Sequence, residues 1–151
     1  MELRVMTIQD YNEVLALWKG VNGFYIRSID DSYDGMQKFL AKNPKTNVIA
    51  ICDNKIVGSI LCGYDGRCAY LYHVCVQKEY RHKQIGKRMV SFVKDRLQEE
   101  GATHINLVAF KDNSLGNLFW QEIGWQLKDT MNLYECILDS TNTRTLNKNG
   151  N

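Results

Sequence analysis

The residues best suited to chemistry cluster at Arg81–Lys87, RHKQIGK. Arg81, Lys83, Lys87 and Arg88 bring four cations into one short stretch. The stretch follows an apolar run ending near Val76. It opens an amphipathic pattern carried by Ile85, Met89, Phe92, Val93 and Leu97, which predicts a long helix ending at Gly101. Amides in the first turn of a helix have no internal partner, and the helix dipole adds partial positive charge there. Such an end is an anion site suited to a pyrophosphate. Gly86 lets the backbone come close to the anion. A solvated basic helix start has the same pattern, so the loop alone does not decide between the two readings.

The positioning elements follow from periodicity. Leu3 and Val5 read as a first strand. Asp10, with Glu13 at capping-box spacing, opens a helix through Tyr11, Val14, Leu15, Trp18 and Val21. A second helix covers roughly 32–42. The period then changes. Residues 47–52 and 56–64 form a hairpin around Asp53-Asn54-Lys55, and 68–76 form the next strand. After the long helix come a strand at 104–110, a short helix from Asn113 or Ser114 to Ile123, and a last strand at 125–138. The order is β-α-α-β-β-β-α-β-α-β. It predicts an α/β (α+β) fold with a mixed, largely antiparallel sheet of six to seven strands flanked by about four helices.

The chain has 151 residues, enough for one domain, expected over 1–139. The tail, 140–151, has almost nothing apolar and reads as disordered. It also carries the whole net charge of +2, through Arg144 and Lys148, which leaves the body neutral. A neutral body argues against nucleic-acid binding, which needs a basic face. The five cysteines form no C-x-x-C pair, and no zinc spacing or other metal site is predicted. There is no secretory h-region at the start and no run of the ~20 apolar residues that span a bilayer. These features point to a reduced, cytoplasmic protein.

Val74-x-Val76, then Tyr80, then Arg81-x-x-x-x-Gly86 at a helix start, resembles the coenzyme A signature of the GNAT superfamily of N-acetyltransferases, (Q/R)-x-x-G-x-(G/A). Gln84 stands where the signature's first glycine is expected. The family also shows an asparagine, a helix, an aromatic pair and a Gly-aromatic. Asn113, Phe119-Trp120 and Gly124-Trp125 match these, so the likeness spans about residues 2–138. The segment from Gly63 to Arg81 is similar to a branch of small bacterial acetyltransferases of unassigned substrate.

The resemblance implies acetyl-coenzyme A as cosubstrate and an amine acceptor: a small molecule, a peptide N-terminus or a lysine side chain. It leaves a homodimer open. It implies that backbone of Val74, Cys75 and Val76 holds the pantetheine as an added strand. Arg81, His82, Lys83, Gln84, Ile85, Gly86 and Lys87 would hold the pyrophosphate, and Asn113 the pantetheine or adjacent backbone. Gln84 is expected to keep a negative φ or accept strain. The family's base positions hold Tyr70 and Tyr72, and its acid position holds Trp120. A phenol of pKa about 10 is a poor base at neutral pH, so the tyrosines could instead order water or shape the acceptor pocket. An imidazole suits a base, but strand alternation puts His73 on the opposite face. Glu79 reads as a solvated charge. The acceptor pocket would come from the stretch between Trp18 and Asp34, which holds Phe24, Tyr25, Arg27, Asp30 and Asp31. Because the acid and base positions depart from the pattern, an acetyl-coenzyme A-binding sensor or interaction module is the alternative.

Overall fold

The apolar run between Val48 and Val76 forms the middle of a sheet because its side chains can be covered on both faces. In the computed structural model, which describes residues 1–147, the elements are β1 (Glu2–Val5), α1 (Tyr11–Lys19), β2 (Tyr25–Arg27), α2 (Tyr33–Lys42), β3 (Val48–Cys52), β4 (Lys55–Tyr64), β5 (Ala69–Val76), α3 (Ile85–Glu99), β6 (Ile105–Asn106), α4 (Ser114–Glu122) and β7 (Arg144–Leu146). Five strands make one sheet in the order β1-β3-β4-β5-β6, and β2 pairs with β7 in a second. All pairings are antiparallel except β5 with β6.

The sheet divides two cores. Trp18, Val14 and Leu17 of α1 and Met36 and Leu40 of α2 cover one face, against Ile49, Leu61 and Cys75. Ile85, Met89, Val90, Val93 and Leu97 of α3 cover the other, against Ala50, Val57, Ile60 and Leu71. Apolar burial on both faces is the main stabilising contribution and holds β5 rigidly between the helices.

The expected fold is present, but the strand expected over 104–110 shrinks to Ile105–Asn106, and there are three further local corrections. Asp10 does not cap α1. Its carboxylate turns back to accept from the Thr7 amide at 2.8 Å and pairs with Arg4 at 2.8 Å. The hydrogen bond from Arg4 holds it below the usual carboxylate range. Glu13 instead accepts from the Ile56 amide of β4 at 2.8 Å. Second, no strand forms over 125–138. Trp125, Leu127, Met131, Leu133 and Ile137 share one parity, as in a strand, but the run pairs with no other strand among the described residues, and Leu127, Met131, Leu133 and Ile137 are exposed. Third, the described part of the tail is ordered. β7 pairs with β2, and Asn142 bonds the Ile29 amide at 2.9 Å and the Asp30 carboxylate at 2.9 Å. These bonds are polar, so hydropathy gives no sign of them. Residues 148–151 lie outside the described residues.

Candidate functional site

The start of α3 is built to leave its amides available. Gln84 is the N-cap residue, yet its side chain makes no capping bond. The first helical bond runs from the Arg88 amide to the Gln84 carbonyl at 3.0 Å, so the amides of Ile85, Gly86 and Lys87 have no intrahelical acceptor. Gln84 takes φ +65 and His82 takes φ +59, both in the left-handed region. Gln84 therefore adopts the backbone that glycine would, at a cost of about 1 kcal/mol or more. Left-handed residues of this kind turn successive amides into an anion-binding concavity. Gly86 is favoured for a second reason: a Cβ there would stand 3.2 Å from the Phe119 ring of α4, which would have to shift to admit it. Lys83, Lys87 and Arg88 are exposed around this end, and Arg81 folds back to donate from Nε to the Val76 carbonyl at 3.0 Å.

β5 leads into this loop half-paired. β6 meets it only at Ala69–Ile105 and Tyr70–Asn106. From Leu71 to Val76, among the described residues, β5 has a strand partner on the β4 side alone. Val74, Cys75 and Val76 thus lie along an edge open to an extended ligand, directly before the anion end of α3. Burial pushes the Cys75 thiol up to about 11, so it stays protonated and is no nucleophile.

Within β5, strand alternation breaks. Ser59 pairs with Cys75 and Leu61 with Tyr72, so His73 and Val74 together oppose Ile60 alone. This is a β-bulge, and His73 sits on it at φ +49. The bulge overturns the expectation that His73 faces away from Tyr72. Tyr72 packs edge-on against Phe39 of α2 at 6.0 Å, and His73 reaches the same side, stacking on Phe24 at 4.4 Å beside Trp18 at 4.6 Å. Its Nε2 lies 2.7 Å from Asp31 Oδ1. Trp18 Nε1 donates to Ser59 Oγ at 2.9 Å, and that hydroxyl donates to the His73 carbonyl at 3.2 Å. Composition gives no signal for the Asp31–His73 pair, since a bulge cannot be read from alternation.

Tyr70 and Tyr72 stand 5.0 Å apart as one aromatic wall. Burial pushes both phenols above their ordinary range, and each is raised further by neighbouring charge. Trp120 instead joins Phe119 at 5.0 Å and Trp125 at 4.7 Å, packed against the α3-side core. Asn113 caps α4 by accepting from the Gly116 amide at 3.0 Å. A Cβ at Gly116 would stand 2.6 Å from that side chain, and one at Gly23 would stand 2.7 Å from it, so Asn113 also abuts the loop after α1. Glu79 is exposed. Of the three aspartates, Asp31 is buried while Asp30 and Asp34 are exposed. Among the described residues, no group of three His, Cys, Asp or Glu side chains is arranged to hold a metal ion, and no helix is long and apolar enough to cross a membrane.

The comparisons agree with this layout. The family model described as Acetyltransferase (GNAT) family matches residues 12–125. An acetyltransferase of Sodalis glossinidius is 28% identical over 131 residues, covering 87% of this chain and 91% of that one. The coenzyme A complex of a PaiA N-acetyltransferase from Thermoplasma acidophilum has the same fold, with TM-score 0.71 and 16% identity over 95% of each chain. A predicted acetyltransferase from Clostridium acetobutylicum, solved with acetyl-coenzyme A, gives TM-score 0.68 and 18% identity over 89% of this chain and 95% of that one. The chain belongs to the GNAT acetyltransferase family, which places it among enzymes that draw their acetyl group from acetyl-coenzyme A.

Proposed function

We propose that this chain acetylates a primary amine by direct attack within a ternary complex with acetyl-coenzyme A. The observation that carries the reading is the continuity of the half-paired edge of β5 with the uncapped, left-handed start of α3. Backbone of Val74, Cys75 and Val76 receives the pantetheine as an added strand. The amides from Arg81 through Lys87, including those of His82, Lys83, Gln84, Ile85 and Gly86, receive the pyrophosphate. Bound there, acetyl-coenzyme A supplies the activated acetyl carbonyl. Asn113 acts through structure: it fixes α4, and so Phe119, against Gly86. The protonated Cys75 thiol supports a route without an acyl-enzyme.

Tyr70 and Tyr72 shape the acceptor side. Their raised phenols stay neutral, so they serve as hydrogen-bond donors and as a ring surface for a cationic amine. Trp120 offers an indole N–H near the leaving side but no transferable proton. The thiolate can leave without a proton donor, because a thiol of pKa about 8.5 is a fair leaving group. The acceptor class is a primary amine on a small molecule, a peptide N-terminus or a lysine side chain, and the setting is a reducing cytosol. The expected unit is the body, 1–139, and the described tail is part of its acceptor side through β7.

The packing of Trp120 favours a second reading, in which the chain binds acetyl-coenzyme A as a sensor without turnover. Thiol release with acetyl-coenzyme A and a panel of primary amines separates the two. The first reading expects turnover with at least one amine class. Tight calorimetric binding with no thiol release in any class would sink it in favour of the second.

A further inference from the structure

The Asp31–His73 pair is a buried, oriented acid–imidazole couple. Asp31 has a side chain 6% exposed, with both oxygens engaged: Oδ2 accepts from the Arg27 amide at 2.7 Å, and Oδ1 lies 2.7 Å from His73 Nε2. Tyr11 fixes the same residue from α1, donating from its hydroxyl to the Asp31 carbonyl at 2.8 Å. A carboxylate accepts and does not donate, so Nε2 carries the ring proton and the lone pair falls on Nδ1. Nδ1 has no hydrogen-bond partner, and among the described residues no side-chain nitrogen or oxygen is both buried and unpaired. Nδ1 is therefore not fully sealed from solvent, although the side chain is only 11% exposed. Phe24 and Trp18 hold the ring plane, and the bulge turns it to the side where Tyr72 stands.

We propose that His73 is the catalytic base of the transfer and Asp31 its positioning residue. This rests on the reading as an amine acetyltransferase. As the amine nitrogen bonds to the acetyl carbon, the thioester C–S bond breaks and its electron pair leaves on sulfur. The proton lost by nitrogen goes to His73 Nδ1, directly or through one water, and Asp31 balances the imidazolium. The proton then returns to solvent or to the departing thiolate. The phenols and the thiol around the ring are neutral. Burial raises Tyr11, Tyr72 and Cys75, the last reaching the bulge through Ser59. Asp31 is the charge in direct contact with the imidazole, and Asp30, whose charge reaches Tyr72, is the next carboxylate along the same loop. The arrangement orients a base with a buried carboxylate, the general logic of an activated proton acceptor.

The test uses the full chain with acetyl-coenzyme A and three probes: tyramine, an α-blocked lysine and a free alanyl peptide. His73→Asn is the main variant, because asparagine tolerates the left-handed backbone and can still donate to Asp31. Kcat is expected to fall about 100-fold, with KM changed less than about threefold. Once kcat/KM is expressed per neutral amine, its acid limb should vanish. Asp31→Asn should keep that limb but move it to lower pH, because the imidazolium loses its counter-charge. A merely structural role would leave the limb where it is in both. Nitrogen-15 spectra of the unmodified protein should show His73 protonated at Nε2 and bare at Nδ1, a readout that needs no variant. The opposite tautomer, or a folded His73→Asn chain with rate and limb intact, would overturn the proposal and leave amine acetylation standing. No turnover of any probe by the unmodified protein would overturn both.

Discussion

A bulge inside β5 and the loop that follows the strand both place residues other than glycine in left-handed backbone. His73 does so at the bulge, His82 and Gln84 before α3. The backbone cost is similar, about 1–2 kcal/mol each. What offsets it differs. At the bulge the side chain holds the backbone in place: His73 bonds Asp31, stacks on Phe24 and meets Trp18 edge-on. At the loop Gln84 is exposed and makes no cap, so its side chain contributes little. The bulge presents an imidazole. The loop presents amides, and its side chains are incidental.

That contrast is tested most strongly at Gly86. Gly86→Glu puts a carboxylate where an anion should bind and a Cβ 3.2 Å from Phe119. Calorimetry with coenzyme A should show affinity lowered about 100-fold, or about 2.7 kcal/mol. Unchanged affinity would mean that the pyrophosphate does not sit on these amides, and the loop would become an ordinary basic helix start.

A smaller effect is expected from His73→Gly. Glycine relieves the left-handed strain, but two ring contacts go, each worth about 0.5–1.5 kcal/mol. Asp31 also loses a partner, which costs about 1–3 kcal/mol when the group is buried. The net is a destabilisation of about 2 kcal/mol in denaturant unfolding, after the relieved strain is subtracted. A variant as stable as the parent would show that the bulge does not depend on its side chain, and the contrast with the loop would fail.

The loop was legible in the sequence and the bulge was not, for a physical reason. Arg81, Gly86 and the helical period after Ile85 are local signals, each carried by residue type at fixed spacing. The bulge arises where β4 and β5 disagree by one residue, which depends on pairing across the sheet. Alternation counted along β5 alone therefore put His73 on the wrong side. The same limit explains the C-terminus. Apolar residues at 125–138 suggest a strand, but among the described residues they find no strand to pair with. β7 was missed because Arg144, Thr145 and Leu146 are held by Tyr25, whose ring lies 5.1 Å from the Arg144 guanidinium, and by polar bonds. The order of elements came through because it rests on periods summed over many residues.

Gln84→Gly is the quietest test and the most direct one. If only the backbone matters in the loop, glycine should be better there than glutamine. Relief of left-handed strain contributes about 1–2 kcal/mol, and the greater freedom of glycine in the unfolded chain takes back about 0.4–1 kcal/mol. A net gain of about 0.5 kcal/mol should raise Tm by roughly 1–2 °C in a chain of this size. The amides keep their direction, so coenzyme A affinity should stay within about threefold, or less than 0.7 kcal/mol. Gain at Gln84 and loss at His73 from the same substitution would confirm that equal backbone conformations are held for opposite reasons. A loss at both positions would show that the Gln84 side chain also holds its turn, and the division between a side-chain site and a backbone site would have to be redrawn.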